Sequence, residues 1–180
     1  VREPATSTAA LEDLVVVARF EDPIYPGLVE TGRVENGGEK PFHTVINAEN
    51  FHALEMLTYT HRHKVDCIYI DPPYNTGAKD WKYNNDYVAS DDDYRHSKWL
   101  SFMERRLQVA RELLNPEDSV LIVTIDEKEY LRLGMLLEQT FPDARIQMVS
   151  SVINPKGVAR GKAFRRTDEY IYFVMLGESG

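Results

Sequence analysis

The residues best suited to chemistry are Asp71, Pro72, Pro73 and Tyr74, which follow one another directly. Asp71 brings a carboxylate acceptor, and the main-chain carbonyl of Pro72 brings a second. Two successive prolines fix φ and carry no amide hydrogens, so the turn is stiff and rich in acceptors. Tyr74 adds a flat face on which another ring can stack. Together they suit the exocyclic amine of a nucleobase. That nitrogen is a poor nucleophile because its lone pair is delocalised into the ring, and two acceptors on its N–H groups draw it toward tetrahedral geometry. The base must first leave its stack to reach them, and a methyl donor must then stand in line with the nitrogen. The same four residues also make a plain strand-ending turn, with Tyr74 as a half-buried anchor. The strand-like Cys67-Ile68-Tyr69-Ile70 just before the turn favours the chemical reading.

Residues 65–70 must therefore form a strand whose carboxyl end delivers Asp71. Upstream, Thr44-Val45-Ile46 reads as a short strand, and residues 47–59 as a helix carrying Phe51, Leu54 and Leu57 inward. Downstream, Trp99, Met103, Leu107, Ala110 and Leu114 recur at helical steps until Asn115-Pro116 ends the run. Residues 119–125 are almost wholly apolar, as in a strand buried on both faces. A helix over 128–140, carrying Tyr130, Leu133, Leu136 and Leu137, and strands over 145–153 and 169–176 complete the pattern. Strand–helix alternation predicts an α/β fold with a doubly wound, mostly parallel sheet. Ligands then sit beyond the carboxyl ends of the strands. This places Asn47 with Glu49, Asp71 with its loop, and Thr124 with Asp126 on one rim.

The chain has 180 residues, 43% of them hydrophobic, enough for one domain with a core. Its apolar runs are too short to span a membrane, and no leader opens it, so the cytoplasm is the default location. The single cysteine, Cys67, excludes an internal disulfide. A net charge of -8 is unusual for a free-standing DNA binder, so phosphate contacts must come from a local patch or from another domain or subunit. Lys156, Arg160, Lys162, Arg165 and Arg166 supply such a patch in a stretch without one acid. A solvated surface loop is the alternative. Residues 1–43 read as an irregular approach segment, with a helix over 9–20 and then closely spaced Pro and Gly. With Val1 first and Gly-Glu-Ser-Gly last, the chain reads as a piece of a longer protein.

Val65-Asp66-Cys67-Ile68-Tyr69-Ile70-Asp71-Pro72-Pro73-Tyr74-Asn75-Thr76-Gly77 resembles the catalytic segment of DNA amino-methyltransferases of type III restriction-modification systems. The stretch from Ile46 to Leu54, the helix from Trp99 to Leu114, the strand that ends at Asp126 and the run from Arg166 to Ile171 resemble flanking segments of that family in the same order. The resemblance implies a Rossmann-like methyltransferase fold over residues 44–180, and S-adenosylmethionine as cofactor. It implies methyl transfer to adenine in duplex DNA, since aspartate rather than serine at position 71 favours adenine over cytosine. Asp71, Pro72, Pro73 and Tyr74 take the catalytic role. Asp71 and Asn75 line the methyl-donor end of the cofactor site, and Asn47 and Glu49 stand where a strand-end loop meets the adenosine. A restriction subunit with nuclease and helicase activity and a homo-oligomeric full-length form are the implied partners. The family's Phe-x-Gly-x-Gly cofactor loop is absent, as is the target-recognition region, so the piece is expected to be inactive alone. A non-catalytic module that keeps the fold, or an RNA amino-methyltransferase, are the alternatives.

Several residues have plainer readings. Asn50 and Asp126 suit helix capping, and Glu49 is open between capping and ligand contact. Trp81 is expected to pack a crossover, whereas Tyr83, Tyr87 and Tyr94 pack it or form a lid. His61, His63 and Cys67 are not expected to bind metal, because Cys67 should point into the sheet and the histidines lie in a surface turn.

Overall fold

The strand that ends at Asp71 is β1 (Cys67–Ile70), and it pairs in parallel with β2 (Asp118–Ile125). The computed structural model describes residue 10 and residues 27–75, 94–158 and 164–179. Val1–Gly38 and Glu39–Gly180 are separate compact units, and every helix and strand described lies in the second. In the first, Arg33 bridges Glu30 and Glu35 in exposed, irregular chain. The helix expected over 9–20 lies outside the described residues.

Four strands form one sheet in the order β1-β2-β4-β3, with β3 at Arg145–Val152 and β4 at Asp168–Gly177. β4 runs antiparallel to both β2 and β3. Three strands therefore share one direction, and the carboxyl ends of β1, β2 and β3 reach the same rim, where β4 begins. The sheet is mixed, and this qualifies the mostly parallel arrangement expected. The physical reason lies in the connection from β3 to β4, which contains no helix among the described residues and is pinched by a bridge between Val158 and Arg166. A parallel return would need a longer crossover.

Helix α1 (Asn50–His61) precedes β1, α2 (Arg95–Leu113) lies between β1 and β2, and α3 (Tyr130–Thr140) follows β2. The apolar stripe of α2 buries Trp99, Met103 and Leu107, and that of α3 buries Leu133 and Leu137. Both close on Leu121, Val123, Ile125 and Val174 of the sheet. The helical spacing seen in the sequence is thus the spacing that makes the core. α1 packs on α2 with no fully buried residue, and Phe51, Leu54 and Leu57 are half-buried.

Three local expectations need correction. Thr44-Val45-Ile46 forms no strand, and Val45 is 93% exposed; no neighbouring strand among the described residues offers it a ladder. β2 is buried on one face only: Leu121, Val123 and Ile125 are fully buried, but Val120, Ile122 and Thr124 are half-buried. Cys67 is exposed rather than inward, because it shares that second face with Tyr69. Among the described residues no helix is long and apolar enough to cross a membrane.

The end of β4 carries a glycine for a steric reason. Gly177 has φ +61, and a Cβ there would sit 1.9 Å from the carbonyl oxygen of Glu117. Gly177→Ala is therefore expected to lower the urea midpoint, with about 1–3 kcal/mol of backbone strain before the clash is counted. An unchanged midpoint would mean that this corner relaxes freely.

Candidate active site

The 71–75 loop is pinned at three places by groups from three different elements. Thr124 on β2 stands next to the register pair Ile70–Val123, and its Oγ1 donates to Asp71 Oδ1 at 2.7 Å. Trp99 on α2 donates its indole N–H to the carbonyl of Pro73 at 2.6 Å. Asn75 donates Nδ2 to Glu129 Oε1 at 2.5 Å and lies 3.4 Å from the carbonyl of Arg95. Asn75 has φ 57, in the left-handed region that asparagine tolerates better than most residues, and it is 1% exposed. Asp71 itself is exposed, and the Pro72 carbonyl accepts no hydrogen bond among the described residues. Two acceptors are thus presented at the strand end on a loop whose other groups are occupied.

Tyr74 is half-buried and packs against the hydrophobic core. Burial pushes its phenol up to about 12, helped by the hydrogen bond and charge of Asp71 and the charge of Glu169, and opposed by Thr124. The ring therefore stays neutral at physiological pH, with its hydroxyl near the Asp71–Thr124 pair.

Glu129 and His96 belong to this site and were not singled out from the sequence. Glu129 is fully buried, and its Oε1 also lies 2.5 Å from His96 Nδ1, while Arg132 approaches Oε2 at 3.4 Å. A signal was present. Glu129 falls on the same helical stripe as Leu133, Leu136 and Leu137, and His96 on that of Trp99 and Met103. A charged or polar residue on an apolar stripe has to meet a partner inside.

Other candidates fall elsewhere. Glu49 caps α1, accepting from the His52 amide at 3.0 Å, and pairs with Arg106 at 2.8 Å. Burial alone would raise its carboxyl, but the amides of His52 and Phe51 with the charges of Arg106 and His52 outweigh it and hold it below the usual range. Arg106 also donates to Asn50 Oδ1, so Glu49 and not Asn50 is the cap. The Arg106 guanidinium folds back over the Phe102 ring at 3.6 Å, so Glu49 is held against α2. Among the described residues no hydrogen bond or ion pair joins Glu49 or Asn47 to the 71–75 loop. The Asn75 side chain, expected toward the cofactor, is committed to Glu129 and Arg95. Asp126 accepts from the Lys128 amide at 2.8 Å, holding the turn before α3.

Of the basic cluster, Arg166 turns to the rim, where Asp126, Glu127 and Glu169 hold its guanidinium at 3.8, 3.2 and 3.0 Å. Burial raises the Asp126 carboxyl above its usual value, more than Lys128 and Arg166 lower it. Lys156 and Arg165 are exposed, with Arg165 donating to the Lys156 carbonyl at 3.2 Å. Arg160, Lys162, Trp81, Tyr83 and Tyr87 lie outside the described residues, and Tyr94 is exposed at the start of α2.

Comparison with known proteins places this geometry. The chain is 34% identical over 152 residues to the type III restriction-modification enzyme EcoPI Mod subunit of Escherichia phage P1, covering 71% of this chain and 23% of that protein. It is 32% identical over 167 residues to the probable type III restriction-modification enzyme HindVI Mod subunit of Haemophilus influenzae, covering 89% of this chain and 21% of that protein. It is 34% identical over 142 residues to the type II methyltransferase M.KpnI of Klebsiella pneumoniae, covering 76% and 32%. The chain thus spans no more than a third of the length of these relatives. A family model described as DNA methylase matches residues 65–178, from just before β1 to the end of β4. With the Asp71 corner inside that match, the chain belongs to the DNA methylase family.

Proposed function

We propose that the full-length protein transfers a methyl group from S-adenosylmethionine to the 6-amino group of an adenine swung out of duplex DNA. The observation that carries this reading is the pairing of an exposed Asp71 carboxylate with a Pro72 carbonyl that no described residue engages, on a pinned strand-end loop. The Thr124 and Tyr74 hydroxyls orient the Asp71 carboxylate, which stays exposed to accept from the amine. As the nitrogen gains positive charge, the carboxylate stabilises it and can take its proton. The Pro72 carbonyl accepts from the second N–H and orients the lone pair.

The rim also suits the cofactor. S-adenosylmethionine carries a sulfonium and an ammonium, and supplies an electrophilic methyl group when bound. Around the loop stand Asp71, Asp126, Glu127 and Glu169, with Arg166 bridging the last three. That excess of carboxylates fits a cation. In this reading Asp71 would line its methyl end, while Asn75 would act through its fixed backbone.

The relatives' names, type III restriction-modification Mod subunits among them, support a place in restriction-modification; a restriction subunit as partner, a homo-oligomeric full-length form and work in the cytoplasm belong to the same proposal. A second reading, a non-catalytic module on the same fold, draws on one observation: Tyr74 leans on the core, as the anchor of a plain turn would. The deciding experiment incubates the full-length protein with duplex DNA and methyl-labelled cofactor, then digests the DNA to nucleosides. Labelled 6-methyladenine is expected; no label, or label in cytosine, would refute the proposal.

Phosphate contact falls to Arg160 and Lys162 and, among the described residues, to the exposed Lys156 and Arg165, since Arg166 is held by carboxylates. Changing all four to alanine is expected to flatten the slope of log affinity against log salt by about 0.9 for each phosphate no longer neutralised. An unchanged slope would place DNA on another surface.

A further inference from the structure

We infer that Glu129 is a positioning residue for the 71–75 loop, holding Asn75 so that the Asp71 carboxylate and the Pro72 carbonyl stay aimed at the same amine. This role rests on the methyltransferase reading above. A carboxylate with no exposed surface is costly to desolvate unless donors surround it. Here the donors come from three segments: Asn75 Nδ2 from the loop, His96 Nδ1 from the first turn of α2, and Arg132 from α3. The helices do not need this cluster in order to pack. Trp99, Leu107, Leu133 and Leu137 already close the core, and a leucine at 129 would extend the α3 stripe at lower desolvation cost. What the carboxylate adds, and leucine would not, is a hold on Asn75.

That hold matters because Asn75 is where the loop changes direction, with φ 57 and almost no exposure. Two residues upstream, the Pro73 carbonyl is fixed by Trp99. Between these anchors the chain through Tyr74 has little freedom, and Pro72 has its φ set by its ring. Released from Glu129, Asn75 can leave the left-handed region; Tyr74 and the Pro73 carbonyl then shift against Trp99, and the adjoining Pro72 carbonyl that should meet the amine shifts with them. A displacement of about 1 Å in such a group is enough to cost on the order of 10²-fold in rate.

The test compares Glu129→Leu and Glu129→Gln with the unaltered full-length protein. Glutamine keeps an oxygen for Asn75 and His96, whereas leucine keeps only the volume. Steady-state methyl transfer to duplex DNA is measured with kcat and KM separated. In parallel, 5-fluorotryptophan labelling gives a 19F signal for Trp99, assigned through Trp99→Phe, that reports on the Pro73 contact. The expected result is a fall in kcat of about 10²-fold for leucine with KM for DNA little changed, a shifted Trp99 signal, and recovery of most of both by glutamine. Equal kcat in the leucine variant, or an unmoved Trp99 signal, would overturn the inference. If leucine prevents folding, Asn75→Gly removes the loop-side donor while tolerating the same φ, and is judged by the same two readouts. An inactive unaltered protein would instead defeat the methyltransferase reading, and the fluorine signal alone would then decide the role of Glu129.

Discussion

Asp71→Ala is expected to lower kcat for methyl transfer by about 10²–10³-fold, the range seen when one preorganised group that meets transition-state charge is removed. The direction follows from geometry. Asp71 is exposed, and its hydrogen-bond partners are the hydroxyls of Thr124 and Tyr74 at the edge of the core rather than groups inside it. Its loss should therefore leave the melting temperature nearly unchanged, which separates a chemical role from a structural one. KM for DNA should change less than kcat, because the carboxylate strengthens its contact as the nitrogen becomes positive. Asp71→Asn is the sharper variant. It keeps an oxygen for the amine but removes the negative charge and the ability to take a proton, so its kcat should lie between alanine and the natural residue. Near-normal kcat in Asp71→Ala would mean that the base amine is held elsewhere and that the strand-end corner is only a turn.

Much of this arrangement could be read from residue order. The stripe Trp99, Met103, Leu107 announces α2, the apolar run after residue 118 announces β2, and a proline pair after a short apolar strand announces the loop. These signals are local, and local periodicity survives folding because it reflects which face a helix or strand must bury. What escaped depends on pairing between distant residues. Thr124 reaches Asp71 only because β2 lies beside β1 in one register, and register is not visible along a single strand. Arg166 looked like one cation of a basic cluster, yet it meets Glu127, 39 residues upstream, as well as Glu169 three residues further on. Glu129 and His96 were hidden for a different reason. On an apolar stripe they read as interruptions, when the half-buried His96 is the partner of the buried Glu129. Val45 shows the converse: three β-favouring residues make no strand when no neighbour supplies hydrogen bonds.

Trp99 joins the core to the loop, so two substitutions at that one position should separate stability from catalysis. Trp99→Ala removes a fully buried aromatic from the contact between α2 and the sheet. It is expected to cost about 3–5 kcal/mol, the usual range for truncating a buried aromatic, read from the shift of the urea midpoint at constant slope. A loss of that size is a large part of the stability of a typical domain, so the variant should be partly unfolded at physiological temperature. Trp99→Phe keeps most of the ring and removes the N–H that satisfies the Pro73 carbonyl at 2.6 Å. Its cost should be smaller, about 1–3 kcal/mol for removing a hydrogen bond beside the core. The catalytic consequence has the opposite weight. With the fold retained, the Pro73 carbonyl is free to rotate, and the Pro72 carbonyl moves with it, so kcat should fall out of proportion to the small drop in stability. A phenylalanine variant with reduced stability and full kcat would show that the indole only fills space, and that the remaining anchors, Thr124 and Glu129, hold the loop without it.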